Sequence, residues 1–465
     1  MRLRILHTND LHGHLEHWPL LSAYIREAQD IAAAKNEPIL TVDIGDAMDS
    51  VHPLVEATYG KIIVDLFNEA HYDVVTIGNN EGLNFSKERL SELYSGANYD
   101  VTVGNLLDSQ TQSIPDYASK IAYKEFEGKT VALVGLTAPY ATYGLNGYII
   151  QNPIEAIQGI LLDIKQKDVD LIILLSHLGI ETDRYIANLF PEIKLIIGAH
   201  THHVFIHGEW ENQSLLAASG KFGNYLGDIE LYFEEENNDW QFNAKVITID
   251  QLSDMYQLPK ESTQYYLEGI GELKERLVAL LPYTFSALKA HGDKSFMQMA
   301  LEAISDEADV DYAILNSGLF LRDLEEGILS EKELHEALPH PMHLAKVTLK
   351  GCYLKEMLYD MQSQQEDLRY KLISGLGFRG KVFGELVYKG LSYNETSNQW
   401  LAKGQAIDDN SSYTFVTVDH LWFLPFFPMI DLHGNPQLIF PDFIRHSVRN
   451  YLQKKHPIGG SEING

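Results

Sequence analysis

Short apolar runs at residues 4–6, 39–42, 74–77, 171–175 and 195–197 each stop abruptly at a polar, loop-forming motif. Runs that short, bounded by glycine and polar residues, predict buried strands. Between them the period changes. Over residues 18–35, Leu21, Ile25, Ala28 and Ile31–Ala32 return to one face at helical spacing. Strand and helix alternate in this way to about residue 250, which predicts a layered α/β domain. Strands at 228–233 and 240–249 complete it, joined by a solvated acidic turn over residues 234–239. Residues 261–281 repeat apolar positions at helical spacing among charges and stop before Pro282, predicting a connecting helix. Beyond it the pattern reads helix 295–306, strand 312–316, helix 330–338, strand 342–349, helix 350–364 and further strands, an α+β order. The expected organisation is a first domain over residues 1–250, a helical linker over 251–289 and a second domain over 290–465, with a frayed tail from residue 458.

Composition narrows the class. A chain of 465 residues exceeds what one hydrophobic core supports. Hydrophobic residues make up 45% and charged ones 22%, the balance of an ordinary globular protein. No apolar run is long enough for a transmembrane helix. The opening Met1-Arg2-Leu3-Arg4-Ile5-Leu6-His7 enters the first strand at once and leaves no room for a signal peptide. The single cysteine, Cys352, forms no internal disulfide, which fits a reducing compartment. These features together lead to the expectation of a cytoplasmic protein with no membrane attachment. Lys and Arg number 36 against 65 Asp and Glu, a net charge of −29, so the chain lacks the basic surface a nucleic-acid polymer needs. Small anions remain possible partners where cations or arginines hold them locally. The sequence carries no signal of oligomeric state.

The polar ends of the strands share one chemistry. They are Asp10-Leu11-His12, Gly45-Asp46, Gly78-Asn79, His177 and Gly198-Ala199-His200-Thr201-His202. Open α/β sheets gather their sites beyond the carboxyl ends of strands. Asp10, His12, Asp46, Asn79, His177, His200 and His202 therefore form a candidate nest for two divalent metal ions, with Asp46 able to bridge them. A nitrogen–oxygen donor set without thiolate suits Mn, Zn, Fe or Co better than Ca²⁺. Two such ions about 3.5–4 Å apart lower the pKa of a bridging water and clamp the oxygens of a phosphoryl group during in-line displacement.

In this order the motifs Asp-x-His, Gly-Asp, Gly-Asn, His and Gly-His-x-His resemble the calcineurin-like metallophosphoesterases. The opening Ile5-Leu6-His7-Thr8-Asn9-Asp10-Leu11-His12-Gly13 is similar to their 5′-nucleotidase branch. So are Leu315-Asn316-Ser317-Gly318 and Leu338-Pro339 followed by Val347-Thr348-Leu349-Lys350-Gly351. The resemblance implies a four-layered α/β/β/α metallophosphatase domain and an α+β substrate-recognition domain. It implies one metal on Asp10, His12, Asp46 and His202 and a second on Asp46, Asn79, His177 and His200. It also exposes departures. The branch's G-N-H-E-F-D reads here Gly78-Asn79-Asn80-Glu81-Gly82-Leu83, so Asn80 and Leu83 replace a transition-state histidine and its aspartate. An amide donates a hydrogen bond but carries no proton to give up and no charge. Asn80 itself, His14 and His203 are the candidate substitutes, and Glu81 reads as structural. In the second domain the expected arginine falls on Leu321, leaving Arg322 one place beyond; Arg379 and Phe378 follow, and Leu421-Trp422-Phe423-Leu424-Pro425-Phe426-Phe427-Pro428 stands where relatives stack a base. Arg322, Arg379, Phe378 and Phe427 are the candidate substrate contacts. The function implied is a two-metal phosphoester hydrolase acting on nucleotides through a metal-bridging hydroxide. The alternatives are a cyclic-nucleotide or other phosphodiesterase, a pyrophosphatase, or a metal-retaining nucleotide sensor without turnover.

Overall fold

Each apolar run that ends in a polar motif is a strand: Arg2–Thr8, Ile39–Asp43, Val74–Thr76, Leu171–His177 and Ile193–Gly198. The computed structural model describes residues 2–236, 239–373, 375 and 377–459. The chain forms two compact units, Met1–Gly269 and Ile270–Gly465.

In the first unit, one six-stranded sheet runs in the order Asp239–Thr248, Tyr225–Glu234, Arg2–Thr8, Ile39–Asp43, Val74–Thr76, Asp100–Thr102, the last four parallel. The other runs Glu209–Glu211, Ser214–Ala217, Ile193–Gly198, Leu171–His177, Lys129–Thr137, Ile121–Phe126, with its four central strands parallel. Alternation along the strands decides what each face meets. Ile5, Val42 and Val74 of the first sheet pack with Leu133, Ile173 and Ile197 of the second in one apolar layer. The opposite faces take helices: Leu6, Val75 and Val101 meet Leu21, Ile25 and Phe67, while Val134, Leu174 and Ile196 meet Ile157, Ile160 and Ile186. The result is a four-layered α/β/β/α domain. Helix Trp18–Lys35 buries Leu21, Ile25, Ala28 and Ala32 and ends at Asn36 in the left-handed conformation, where its N–H caps the last turn. The acidic turn joins Tyr225–Glu234 to Asp239–Thr248; its Asn237 and Asn238 lie outside the described residues, as do residues 460–465 of the tail.

The linker differs from expectation. Helices span Ile249–Tyr256 and Gln264–Glu275, but residues from Leu277 to Leu281 form a strand antiparallel to Gly327–Ser330. Leu-Val-Ala-Leu-Leu is apolar at either period, so only its partner strand decides; Val278, Ala279 and Leu281 are buried. In the second unit a mixed five-stranded sheet runs Leu386–Lys389, Tyr312–Asn316, Ser412–Val418, His343–Lys350, Gln437–Phe443. Residues of helices Phe296–Ala308, Gly351–Ser363 and Ile444–Lys455 share its single core, an α+β arrangement. Among the described residues no helix is long and apolar enough to cross a membrane.

Candidate metal centre

The seven ligand-type residues all sit at or just beyond the carboxyl ends of the parallel strands. Two glycines let their loops approach. Gly45 has φ +87°, and a Cβ there would lie 2.3 Å from the Gly78 nitrogen; a Cβ on Gly78 would lie 2.1 Å from Asp46 Oδ1. Backbone hydrogen bonds tie the loops together: Asp10 N–H to Gly45 O at 3.0 Å, His12 N–H to Asp46 O at 2.7 Å, Phe222 N–H to Asp10 O at 2.8 Å. Five of the ligand-type residues, Asp10, His12, Asp46, His200 and His202, have φ between 49° and 72°. Side chains other than glycine rarely adopt that region, and residues held there cluster at functional sites.

The side chains converge as two clusters, Asp10–His12–His202 and Asp46–His177–His200, each with its ligand atoms within 4.8 Å of one another. His12 Nε2 and His202 Nε2 face each other at 3.3 Å, and His202 Nε2 lies 3.4 Å from Asp10 Oδ1. In the other cluster His177 Nε2 lies 3.4 Å from Asp46 Oδ2. His177 is fully buried, and its Nδ1 donates to the Ile44 carbonyl at 2.7 Å, which leaves Nε2 to face Asp46. That Nε2 and Asn79 Oδ1 are buried without a hydrogen-bond partner. Buried orphans of this kind cost free energy unless something coordinates them. These donors fit divalent cations. Burial opposes charge on His177, yet the Asp46 and Asp10 carboxylates and the Ile44 carbonyl outweigh it and push its pKa up to about 10. Burial likewise opposes ionisation of Asp46, but His177 and His12 hold it well below the carboxylate range.

The residues around the ligands hold them. Glu81 accepts from the N–H groups of Asp46, Met48 and Gly78 at 2.8–2.9 Å, pinning the two glycine loops to each other. Burial, then the Asp46 carboxylate, raise its pKa to about 7. Asn80 donates its backbone N–H to Asp46 Oδ1 at 2.7 Å, and its amide nitrogen lies 3.0 Å from His12 Nδ1. It therefore faces ligands. His14 is engaged by Glu16 at 2.6 Å and stacks on Phe222, whose ring also meets His12 edge-on. His203 is exposed and paired with Thr201. Sequence reasoning missed two neighbours. Asp49 Oδ2 lies 3.9 Å from His12 Nδ1, and the Tyr140 hydroxyl lies 3.2 Å from His200 Nε2.

In the second unit two of the candidate substrate contacts, Phe378 and Phe427, are corrected. Phe378 is 4% exposed, sandwiched between the His340 and His420 rings. Phe427 is 1% exposed and packs on Phe383 and Phe426. Both are core, because aromatic rings there bury more apolar surface than any exposed stack would. Arg322 is drawn onto Glu336 at the surface, and the Arg379 backbone N–H donates to His340 Nδ1 at 3.0 Å.

Residues 3–204 match the calcineurin-like phosphoesterase family, and residues 270–423 match the 5′-nucleotidase C-terminal domain family. The chain is 33% identical over 459 residues to the uncharacterized metallophosphoesterase YunD of Bacillus subtilis (strain 168), covering 96% of this chain and 97% of YunD. The chain is a calcineurin-like metallophosphoesterase of the 5′-nucleotidase family. As such it is a hydrolase of phosphoesters. This metallophosphoesterase shares its fold with a Staphylococcus aureus protein described as a 5′-nucleotidase, at TM-score 0.68 and 17% identity over 99% of this chain and 98% of that one. It also shares it with the NAD nucleotidase of Haemophilus influenzae, at TM-score 0.61 and 17% identity over 98% and 97%. Some relatives are much longer: against the trifunctional nucleotide phosphoesterase YfkN of B. subtilis, 23% identical, the metallophosphoesterase spans 28% of the length.

Proposed function

We propose that this metallophosphoesterase hydrolyses the phosphoester bond of small nucleotides. The observation that carries the proposal is the gathering of six nitrogen and oxygen donors into two clusters at the strand ends, Asp10–His12–His202 and Asp46–His177–His200. Asp10, His12, Asp46 and His202 would hold one divalent ion, and Asp46, Asn79, His177 and His200 the other. When bound, such ions would supply an activated water and offset the charge that builds on the phosphoryl oxygens. Glu81 keeps the two glycine loops in register so that Asp46 can face both clusters. Asn80 orients Asp46 and His12. The 5′-nucleotidase character of residues 270–423 supports a nucleoside as the leaving group, with Arg379 and Arg322 as its candidate contacts.

The test is hydrolysis of nucleoside 5′-monophosphates, p-nitrophenyl phosphate and bis-p-nitrophenyl phosphate, each with Mn²⁺ and with chelator. Release that needs metal and disappears in Asp46→Asn is the expected result. A diester preferred over every monoester would redirect the reading to a phosphodiesterase. Tight nucleotide binding at saturating Mn²⁺ without product would make the protein a sensor.

A further inference from the structure

Among the described polar groups beside the donors, most are already committed. The Asn80 amide lies against His12 and Asn79, and the His14 ring against Glu16 and Phe222. Tyr140 differs. Its hydroxyl reaches His200 Nε2 at 3.2 Å with the two rings edge-on, 5.9 Å apart at 68°, yet the residue is 42% exposed. It touches a ligand and keeps an open side.

The mount beneath it is rigid. Tyr140 opens the 3₁₀ turn Ala141–Asn146, which is clamped to the loop bearing Asn79 and Asn80. Tyr143, fully buried, shares a hydrogen bond with Thr137 Oγ1 at 2.9 Å and donates to the Gly78 carbonyl at 3.4 Å. Asn146 donates to the Gly82 and Phe85 carbonyls at 2.9 and 2.7 Å. Gly82 is what admits the turn: a Cβ there would lie 2.3 Å from the Tyr143 ring. So the residue beyond Glu81 has no side chain, and a tyrosine-bearing turn fills the space.

We infer that Tyr140 is a further catalytic residue, whose hydroxyl donates a hydrogen bond to the phosphoryl group of the substrate. The inference rests on the phosphoester reading above. A phenol has one proton and two lone pairs, so beside an imidazole that holds a cation it still has its own proton to give to an oxygen. Such a donor, fixed before the substrate arrives, strengthens its bond as charge grows on the phosphoryl oxygens.

The test is Tyr140→Phe in the Mn²⁺-loaded full chain. Metal content by elemental analysis and the unfolding temperature should match wild type, as should KM and inhibition by inorganic phosphate. Turnover should fall by about 10²-fold, the scale of losing one such donor. Inhibition by orthovanadate, which mimics the five-coordinate transition state, should weaken by the same factor. Unchanged turnover overturns the inference. So does a loss of turnover that tracks lost metal, which would make Tyr140 a positioning residue for His200. A wild type that cleaves no ester removes the phosphoester reading and this inference with it, whereas an active wild type beside an unaffected variant removes only the inference.

Discussion

The Asp419 carboxylate is buried at the end of strand Ser412–Val418, with Oδ2 accepting the backbone N–H of His343 at 3.0 Å. Burial pushes its pKa up to about 7, against about 3.9 for an aspartate in the unfolded chain. The native state therefore binds more protons in that window, and the stability this group allows falls as pH rises from about 4 to about 7. Asp419→Asn keeps an acceptor for His343 and never ionises. Its unfolding free energy relative to wild type should climb by up to about 1.4 kcal/mol per pH unit across the window and level off above it. Urea unfolding of both proteins at a series of pH values measures this. At the same scale the candidate ligands stand out because each closes an apolar run, so position and chemistry coincide. Glu81 was readable only as structural, since two of the three N–H groups it holds, those of Asp46 and Met48, come from a loop that meets it in space alone. Asp49 and Tyr140 gave no signal: nothing near them in sequence hints at His12 or His200. Phe427 misled because an aromatic run reads the same whether it lines a cleft or fills a core, and Phe378 because its neighbour Arg379 suggested a binding loop.

Elements, more than residues, decide how closely the donors can gather. The strands Ile39–Asp43 and Val74–Thr76 are parallel neighbours, and the loops that follow them touch backbone to backbone at Gly45 and Gly78. Gly78→Ala pushes a methyl against Asp46 Oδ1. The expected outcome is a folded protein whose affinity for Mn²⁺ drops at least about tenfold, roughly 1.4 kcal/mol, measured by calorimetry. Element type was legible where length and period agreed, as in helix Trp18–Lys35 and strand Tyr312–Asn316. It failed over Leu277–Leu281, where five residues of even apolarity continue a helical stretch. There the antiparallel partner Gly327–Ser330, some fifty residues on, settles the matter.

The whole molecule carries a net charge of −29. A layered α/β domain followed from the alternation and its α/β/β/α form from the family resemblance, but which strands neighbour which was not written in any local pattern. Five of the seven donor-bearing residues stand in the left-handed region. Each such placement costs on the order of 1 kcal/mol or more. Cation binding at these residues would offset that cost. His202→Asn, a residue that tolerates that backbone shape, should melt above wild type in chelator and below it in excess Mn²⁺, as read by calorimetric scanning. In a cell starved of transition metals the unmetallated chain would be the first form to unfold and be degraded, so its abundance would report metal supply.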